Sequence, residues 1–301
     1  MADRALGLWG ATAAAGPDAP PLSGAARADV AVIGGGFTGL VAALHLAEAG
    51  ARVAVLEAGM IGGGASGRNG GQVIPGFKLY PSELRAALGE ERGARAAAFG
   101  GGAADAAFAL VERLGIACHP DRRGWVQPAH HPSHLDLLRR RHGEWAATGA
   151  DVTWLDRDAL AAVLGTRTYH AGWVDRRGGT VQPLDYARGL ARAAAARGAA
   201  LHVGSAVREL AGREGAFTLR TDGGRVTAGR VIVATNGYTD RLVPNLAASV
   251  VPLDSAQVAT APLPEVVRRA VLPGCSAVSD SRRSLLYYRM SPDGRLVMGG
   301  R

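Results

Sequence analysis

The segment from residue 29 to residue 57 reads as strand, glycine turn, helix and strand, and this order constrains the fold most strongly. "DVAVIG" is a short β-branched run typical of a buried parallel strand. "LVAALHLAEAG" then places Leu40, Leu44 and Ala47 on one helical face, and Gly50 ends the helix. "RVAVLE" supplies a second buried strand. The pattern predicts a β-α-β unit within a parallel sheet.

The glycines after the first strand, Gly34, Gly36 and Gly39, have the spacing G-x-G-x-x-G. Glycine fills 43 of 301 positions, so this spacing arises by chance about once in such a chain. The context is more specific, because Glu57 ends the second strand about 20 residues later, where a carboxylate accepts ribose hydroxyls. Gly34 then makes the turn, Gly36 admits the pyrophosphate and Gly39 lets the helix pack on the strand. We therefore predict a dinucleotide site here.

A second match to the same spacing lies in "GMIGGGASGRNGGQ", residues 59–72, which contains seven glycines. No strand directly precedes this match, so it is not a second nucleotide turn. The loop leaves the carboxyl end of a strand, where ligands of α/β sheets lie. Its polar side chains could meet phosphate or a polar ring while its glycines expose backbone N–H groups. The alternative is a flexible linker.

The first 72 residues resemble the start of the FAD-dependent amino acid and amine oxidases, the D-amino acid oxidase superfamily. The likeness is greatest to the gamma-glutamylputrescine oxidoreductase type, which has a similar "LW..T" arm (Leu8, Trp9, Thr12) and a similar "ASGRNGGQ". The resemblance implies that the glycine loop runs along the flavin and that Val207 holds the adenine through its backbone. The FAD contacts that we predict are Gly34, Gly36, Phe37, Thr38, Gly39, Glu57, Ala58, Ala65, Ser66, Arg68, Asn69, Gly70, Gly71, Gln72, Val207, Thr235 and Asn236.

Later segments favour an α/β fold in which a Rossmann-like FAD-binding domain is interleaved with an α+β substrate domain. "VQPLDYARGLARAAAARGAALHV" predicts a helix (about 184–198) and a strand, and "GRVIVATNGY" predicts another buried strand, Val231 to Ala234. "SLLYYRMSPDGRLVMGG" predicts a hairpin in a mostly antiparallel sheet. The expected parts are an N-terminal arm (1–25), an FAD-binding domain (26–82 and 178–247) and a substrate domain (83–177 and 248–301).

One candidate catalytic residue comes from the resemblance. In the sarcosine oxidase branch, the second of two tyrosines on a comparable strand lies beside the substrate, and Tyr288 matches it. Strand alternation puts Tyr287 and Arg289 on one face and Leu286, Tyr288 and Met290 on the other. The alternative for Tyr288 is packing beneath the sheet. Family members usually continue through a further strand and helix, so we expect the substrate domain to be truncated here.

Composition excludes several other classes. The net charge of +8 is compatible with nucleic-acid binding. However, all but one of the 34 basic residues are arginine, which indicates a compositional bias instead of a binding surface. "HHPSH" lacks ligand spacing, so no metal site is predicted. Cys118 and Cys275 are expected to be reduced thiols. Without a membrane span or signal peptide, we expect a cytoplasmic protein.

These features predict an FAD-dependent oxidoreductase that oxidises the C–N bond of an amine or amino acid. Hydride passes to the flavin, and the resulting imine hydrolyses in water. Gamma-glutamylputrescine or a related amine is the implied substrate, with oxygen or another electron acceptor as co-substrate. A D-amino acid, glycine or sarcosine type of oxidase or dehydrogenase stays open, as do an NAD-linked dehydrogenase and a non-catalytic nucleotide-binding module.

Overall fold

A computed structural model describes residues 6–300, so residues 1–5 of the arm and Arg301 lie outside the described part. The chain divides into two compact units, each built from separate stretches. Unit 1 comprises residues 6–69, Ile116–Cys118 and Pro183–Leu253, and unit 2 comprises Gly70–Gly115, His119–Gln182 and 254–300.

The α-helices of the described chain are α1 Gly7–Thr12, α2 Phe37–Glu48, α3 Pro81–Leu88, α4 Glu90–Arg113, α5 Leu135–Ala146, α6 Arg157–Leu164, α7 Pro183–Ala196 and α8 Glu265–Ala270. The strands are β1 Gly24–Ile33, β2 Val53–Leu56, β3 Gln72–Val73, β4 Trp125–Pro128, β5 Val152–Leu155, β6 Gly172–Asp175, β7 Gly179–Thr180, β8 Ala200–His202, β9 Glu209–Arg213, β10 Ala216–Arg220, β11 Gly224–Val233, β12 Ala256–Ala259, β13 Ala277–Ser279, β14 Tyr287–Met290 and β15 Leu296–Gly300.

Unit 1 contains a six-stranded sheet in the order β8-β2-β1-β11-β10-β9. The strands β8, β2, β1 and β11 are parallel, whereas β9 and β10 add an antiparallel meander at one edge. The predicted parallel sheet is therefore confirmed. Strands β1 and β11 are longer than the sequence predicted, because they pair along their whole length from Gly24 opposite Gly224 to Ile33 opposite Val233.

Helix α2 covers this sheet as predicted. Leu40, Leu44 and Ala47 are buried on one face of the helix, and Gly50 follows its end with φ of +85°. The close packing depends on Gly39 in the first turn of α2. A Cβ atom at this position would lie 2.0 Å from the carbonyl oxygen of Gly34 and 3.1 Å from Val32 Cγ1. Only glycine lets the helix begin this close to the end of β1.

Unit 2 contains a seven-stranded, mostly antiparallel sheet in the order β12-β15-β14-β13-β4-β6-β5, in which only the β13–β4 pair is parallel. This agrees with the predicted antiparallel character. The "SPDG" turn joins β14 to β15, and Ser291 N–H donates to the carbonyl of Arg295 at 2.8 Å. Helix α6 packs on the sheet, and its Leu160 and Leu164 join the core that contains Tyr288 and Cys275.

The two cysteines are free and buried. Burial raises the pKa of both Cys118 and Cys275 to about 12, so both thiols stay protonated near neutral pH. Within residues 6–300, no helix is both long and apolar enough to cross a membrane.

We predict that Gly39→Ala lowers the free energy of unfolding by about 2 kcal/mol, because the backbone carbonyl of Gly34 cannot yield to the new methyl group. A matched helical control is Gly102→Ala in α4, where a Cβ atom would meet nothing within 4 Å. That change should raise the free energy of unfolding by about 0.5–1 kcal/mol through helix propensity. Urea unfolding followed by circular dichroism measures both. Equal effects of the two substitutions would contradict the packing role of Gly39.

Candidate active site

A cavity of about 760 Å³ lies within unit 1 at the carboxyl ends of its parallel strands. Ile33 and Leu56, the last residues of β1 and β2, and Ala234, which directly follows β11, are among its lining residues. This volume is within the range of small-molecule and cofactor sites. Its lining residues are Leu6, Ile33, Gly34, Gly36, Leu56–Gly59, Met60, Gly63–Ser66, Arg68, Ala206–Arg208, Ala234–Asn236, Tyr238 and Asp240–Leu242.

The amino terminus of α2 opens onto this cavity. Gly36 is the residue before the helix and lines the cavity, and Phe37 is the first helical residue. The Ser66 hydroxyl accepts a hydrogen bond from Phe37 N–H at 3.0 Å, so a polar oxygen lies at the positive end of the helix dipole. This end of the helix suits an anionic group such as a pyrophosphate.

Glu57 follows β2 and lines the same cavity. Its Oε2 atom accepts a hydrogen bond from Gly35 N–H at 2.7 Å, and its Oε1 atom accepts one from Gly59 N–H at 2.8 Å. These two bonds fix the plane of the carboxylate. A carboxylate has about four acceptor positions, so it can still accept from a pair of ribose hydroxyls.

Residues 62–67 of the glycine loop pack on α7, and, as predicted, they do not form a second nucleotide turn. Gly62 N–H donates to the carbonyl of Gly35 at 3.0 Å. A Cβ atom on Gly67 would lie 2.3 Å from the carbonyl oxygen of Gly62 and 2.8 Å from Leu184 Cδ1. Gly67 of the second match is therefore required for packing, and the loop is not an extended linker in this structure.

Arginines also line the cavity. Arg68 donates through Nε to the carbonyl of Gly63 at 2.8 Å. Arg208, which the sequence did not single out, pairs with Asp222 at 3.0 Å, and Arg241 is likewise a lining residue. In the sequence, the position of Arg208 next to Val207 was the signal that it could border the cavity. The residues around Arg208 otherwise resemble those around the other arginines.

Tyr238 is another lining residue that sequence reasoning missed. Its side chain is 63% exposed, and its ring lies where a Cβ atom on Gly64 would come within 2.8 Å of it. A large aromatic ring that is so exposed beside a cavity offers a stacking surface for a flat ligand group. Its position in "ATNGY", directly after the strand, was the available signal.

The structure brings ten of the predicted contacts together around the cavity. They are Gly34, Gly36, Glu57, Ala58, Ala65, Ser66, Arg68, Val207, Thr235 and Asn236. Phe37, Thr38 and Gly39 lie in the first turn of α2, where the Phe37 ring lies 5.1 Å from that of Tyr186. Asn69 ends the stretch of the loop that belongs to unit 1, whereas Gly70, Gly71 and Gln72 belong to unit 2. Their predicted contacts with the cofactor stay predictions.

In unit 2, the Gln72 side chain is engaged by the sheet. Its Nε2 atom donates to the carbonyls of Val278 and Tyr288 at 3.1 and 3.2 Å, and its Oε1 atom accepts from Ser279 Oγ at 2.8 Å. These bonds hold the last residue of the glycine loop against strands β13 and β14.

The two faces of β14 differ in their surroundings. Tyr288 is 9% exposed, lies in the core beneath the sheet, and its hydroxyl donates to that of Tyr169 at 3.4 Å. Burial raises the pKa of Tyr288 well above its usual range. On the opposite face, the Tyr287 ring lies where a Cβ atom on Gly70 would come within 3.0 Å of it. The Tyr287 face, and not the Tyr288 face, therefore borders the end of the glycine loop.

Arg289 shares the Tyr287 face and is 2% exposed. It donates to the carbonyls of Gly71 at 3.3 Å and Val181 at 2.6 Å. Burial lowers the pKa of Arg289 to about 10, so the guanidinium still carries its charge near neutral pH. The backbone carbonyls solvate this buried cation and are held in place by it.

Among the described residues, no group of three or more His, Cys, Asp or Glu side chains has an arrangement that could hold a metal ion. The "HHPSH" histidines form a cluster in unit 2, in which His130 Nδ1 lies 2.8 Å from Ser281 Oγ and the His130 and His134 rings are 4.6 Å apart. Burial, and to a smaller extent the neighbouring His134, lower the pKa of His130 below its usual range.

Comparison with known proteins identifies the family of the chain. Residues 29–301 match the family model described as FAD dependent oxidoreductase. The chain is 37% identical over 294 residues to "Probable oxidoreductase OrdL" of Rhizobium meliloti, covering 95% of this chain and 66% of that protein. It is 36% identical over 276 residues to gamma-glutamylputrescine oxidoreductase of Escherichia coli, covering 90% and 64%. The chain thus spans about two thirds of the length of these relatives.

The fold also matches solved structures. Glycine oxidase from Geobacillus kaustophilus superimposes with a TM-score of 0.70 at 26% identity, covering 92% of this chain and 71% of that one. L-amino acid deaminase from Proteus vulgaris, at 21% identity and a TM-score of 0.72, shares the fold. The β-α-β unit, its Glu57-lined cavity and the match over residues 29–301 together establish that this chain belongs to the family of FAD-dependent oxidoreductases.

Proposed function

We propose that the protein oxidises the C–N bond of an amine or amino acid with FAD as its cofactor. The observation that carries the proposal is the unit 1 cavity. Glu57 and the start of α2 line this one cavity, as expected of a dinucleotide-binding site. Relatives named for an amine derivative and for an amino acid support this class of substrate. FAD, when bound, would supply a hydride acceptor for this oxidation, and the resulting imine would hydrolyse in water.

We assign the residues around the cavity to parts of the cofactor by their chemistry. The Glu57 carboxylate accepts the ribose hydroxyls, and Val207 holds the adenine through its backbone. Gly36, Ser66 and the start of α2 bind the pyrophosphate, and Arg68 offsets its charge. The remaining predicted contacts extend this site along the loop and the segment after β11. Unit 1 is then the FAD-binding domain and unit 2 the substrate domain.

The first test concerns Glu57. We predict that Glu57→Gln weakens FAD binding about tenfold or more, because hydrogen bonds to a charged acceptor are worth about 1.5–3 kcal/mol and the amide also loses an acceptor for a backbone N–H. The dissociation constant is measured by quenching of flavin fluorescence on titration with apoprotein. Glu214→Gln, in the β9–β10 hairpin and 81% exposed, is the control and should bind FAD as the parent does. Equal affinity of all three proteins would exclude Glu57 as the ribose ligand.

For the substrate, we propose gamma-glutamylputrescine or a related amine, with glycine, sarcosine or a D-amino acid as the alternative. Anaerobic titration of the FAD-loaded protein with these compounds should bleach the flavin band with one class far more effectively than with the others. A flavin band that no compound bleaches would favour a non-catalytic nucleotide-binding module. Subsequent mixing with air or with an artificial acceptor distinguishes an oxidase from a dehydrogenase.

A residue of unit 2 can also be tested. We propose that Tyr287 contacts the substrate in place of Tyr288, since its face of β14 borders Gly70 and its hydroxyl lies 3.1 Å from Ser255 Oγ. Alternation along the strand makes the two tyrosines a matched pair for substitution.

We predict that Tyr287→Phe slows anaerobic flavin reduction by the working substrate up to about tenfold, the equivalent of one lost hydrogen bond. Tyr288→Phe should leave this rate near that of the parent and lower the free energy of unfolding by about 1 kcal/mol, because it removes the hydroxyl contact with Tyr169. Stopped-flow absorbance gives the rates. The reverse pattern would restore the sequence-based assignment of Tyr288.

A further inference from the structure

The N-terminal arm of unit 1 is bound to the glycine loop through Trp9. This residue of α1 is 3% exposed, and its indole Nε1–H donates to the backbone carbonyl of Asn69 at 2.8 Å. A buried indole N–H needs an acceptor, and this one is found 60 positions further along the chain. The contact fixes the point at which the loop leaves unit 1.

The same hydrogen-bond path continues to the amino terminus of α2. The Asn69 side chain donates to the carbonyl of Ser66 at 2.7 Å and to that of Ala65 at 3.1 Å, which closes the 3₁₀ turn Ala65–Gly67. Ser66 in turn accepts from Phe37 N–H. Trp9 therefore acts on the residues that line the cavity at the pyrophosphate end.

Two buried charged residues of α7 hold the arm in place. Ala14 N–H donates to Asp185 Oδ1 at 2.8 Å, and the Arg188 guanidinium donates to the carbonyl of Ala14. Asp185 is 3% exposed and Arg188 is 4% exposed. Burial of charged groups is costly unless their hydrogen bonds are satisfied, so the backbone of the arm is part of what stabilises α7. Arg192 adds a bond to the carbonyl of Ala15 at 3.0 Å.

The ends of the arm reach the cavity from two directions. The Leu6 side chain, 5% exposed, is one of the lining residues. At the other end, Leu22 N–H donates to Ser205 Oγ at 2.8 Å, and Ser205 N–H donates to the carbonyl of Glu57 at 2.8 Å. The arm is thus hydrogen-bonded to the glycine loop on one side of the cavity and, through Ser205, to Glu57 on the other.

We propose that residues 6–22 form a strap that holds the glycine loop against the cavity and slows release of the bound dinucleotide. Trp9 is its positioning residue, acting on the site through Asn69 and Ser66. The role of the strap in retaining FAD rests on the function proposed above. Its effect on the loop itself is a property of the protein without cofactor.

The test uses Trp9→Phe, which removes the N–H donor and keeps an aromatic ring. Loss of one hydrogen bond should speed FAD release about threefold to tenfold, measured by recovery of flavin fluorescence after dilution. In the apoprotein, trypsin should cut after Arg68, within the loop, faster by a similar factor, because proteolysis follows the population of the locally opened state.

Two comparisons separate positioning from general loosening. Trp154→Phe in unit 2, where the ring stacks under the Arg139 guanidinium at 4.4 Å, is the matched tryptophan control. Cleavage after Arg167, an exposed residue of unit 2, is the internal reference. If the proposal is correct, the ratio of the cleavage rate after Arg68 to that after Arg167 rises in Trp9→Phe and does not rise in Trp154→Phe.

Each other result decides against the proposal. Unchanged cleavage after Arg68 would show that Trp9 does not hold the loop, and equal acceleration at both arginines would show global destabilisation only. Faster cleavage with unchanged FAD release would remove the role in retention. If the parent binds no FAD, the proposed function fails, while the cleavage ratio in apoprotein still decides whether the arm holds the loop.

Discussion

The parallel pairing of β1 with β11 is the contact on which the candidate site depends. It joins residues 24–33 to residues 224–233, so the ends of two strands that are distant in sequence lie side by side. Gly34 after β1 then meets Ala234 after β11, and Glu57 follows the neighbouring β2. Because parallel strands present their carboxyl ends at one edge, this pairing converts separate motifs into one cavity.

Packing within unit 1 requires glycine in the loop, independently of any ligand contact. Gly67 lies against Leu184 of α7 and against the backbone of Gly62, so any side chain there would displace the loop from the helix. The arm approaches the same loop through Trp9 and Asn69. Residues such as Ser66 and Arg68 can therefore be presented to the cavity from a loop whose conformation is fixed by its neighbours.

In unit 2, the period of two along β14 places its two tyrosines in different surroundings. Tyr288 points into the core and Tyr287 toward Gly70, although the two residues are adjacent and chemically identical. A displacement of one position reverses the face of a strand residue, so two adjacent and identical side chains on one strand lie in different surroundings. Arg289 marks the same face as Tyr287, since it donates to the carbonyl of Gly71.

The sequence by itself determined the β-α-β unit, the position of Glu57 and the distinction between the two glycine matches, because these depend on local periodicity and on residues close along the chain. It also predicted the mixed fold, with one parallel and one mostly antiparallel sheet. Tertiary structure alone decided that Arg208 and Tyr238 border the cavity, that Trp9 reaches Asn69, and which tyrosine borders the loop. These relations arise from contacts between distant segments and from the exact register of strands, which local sequence patterns do not encode.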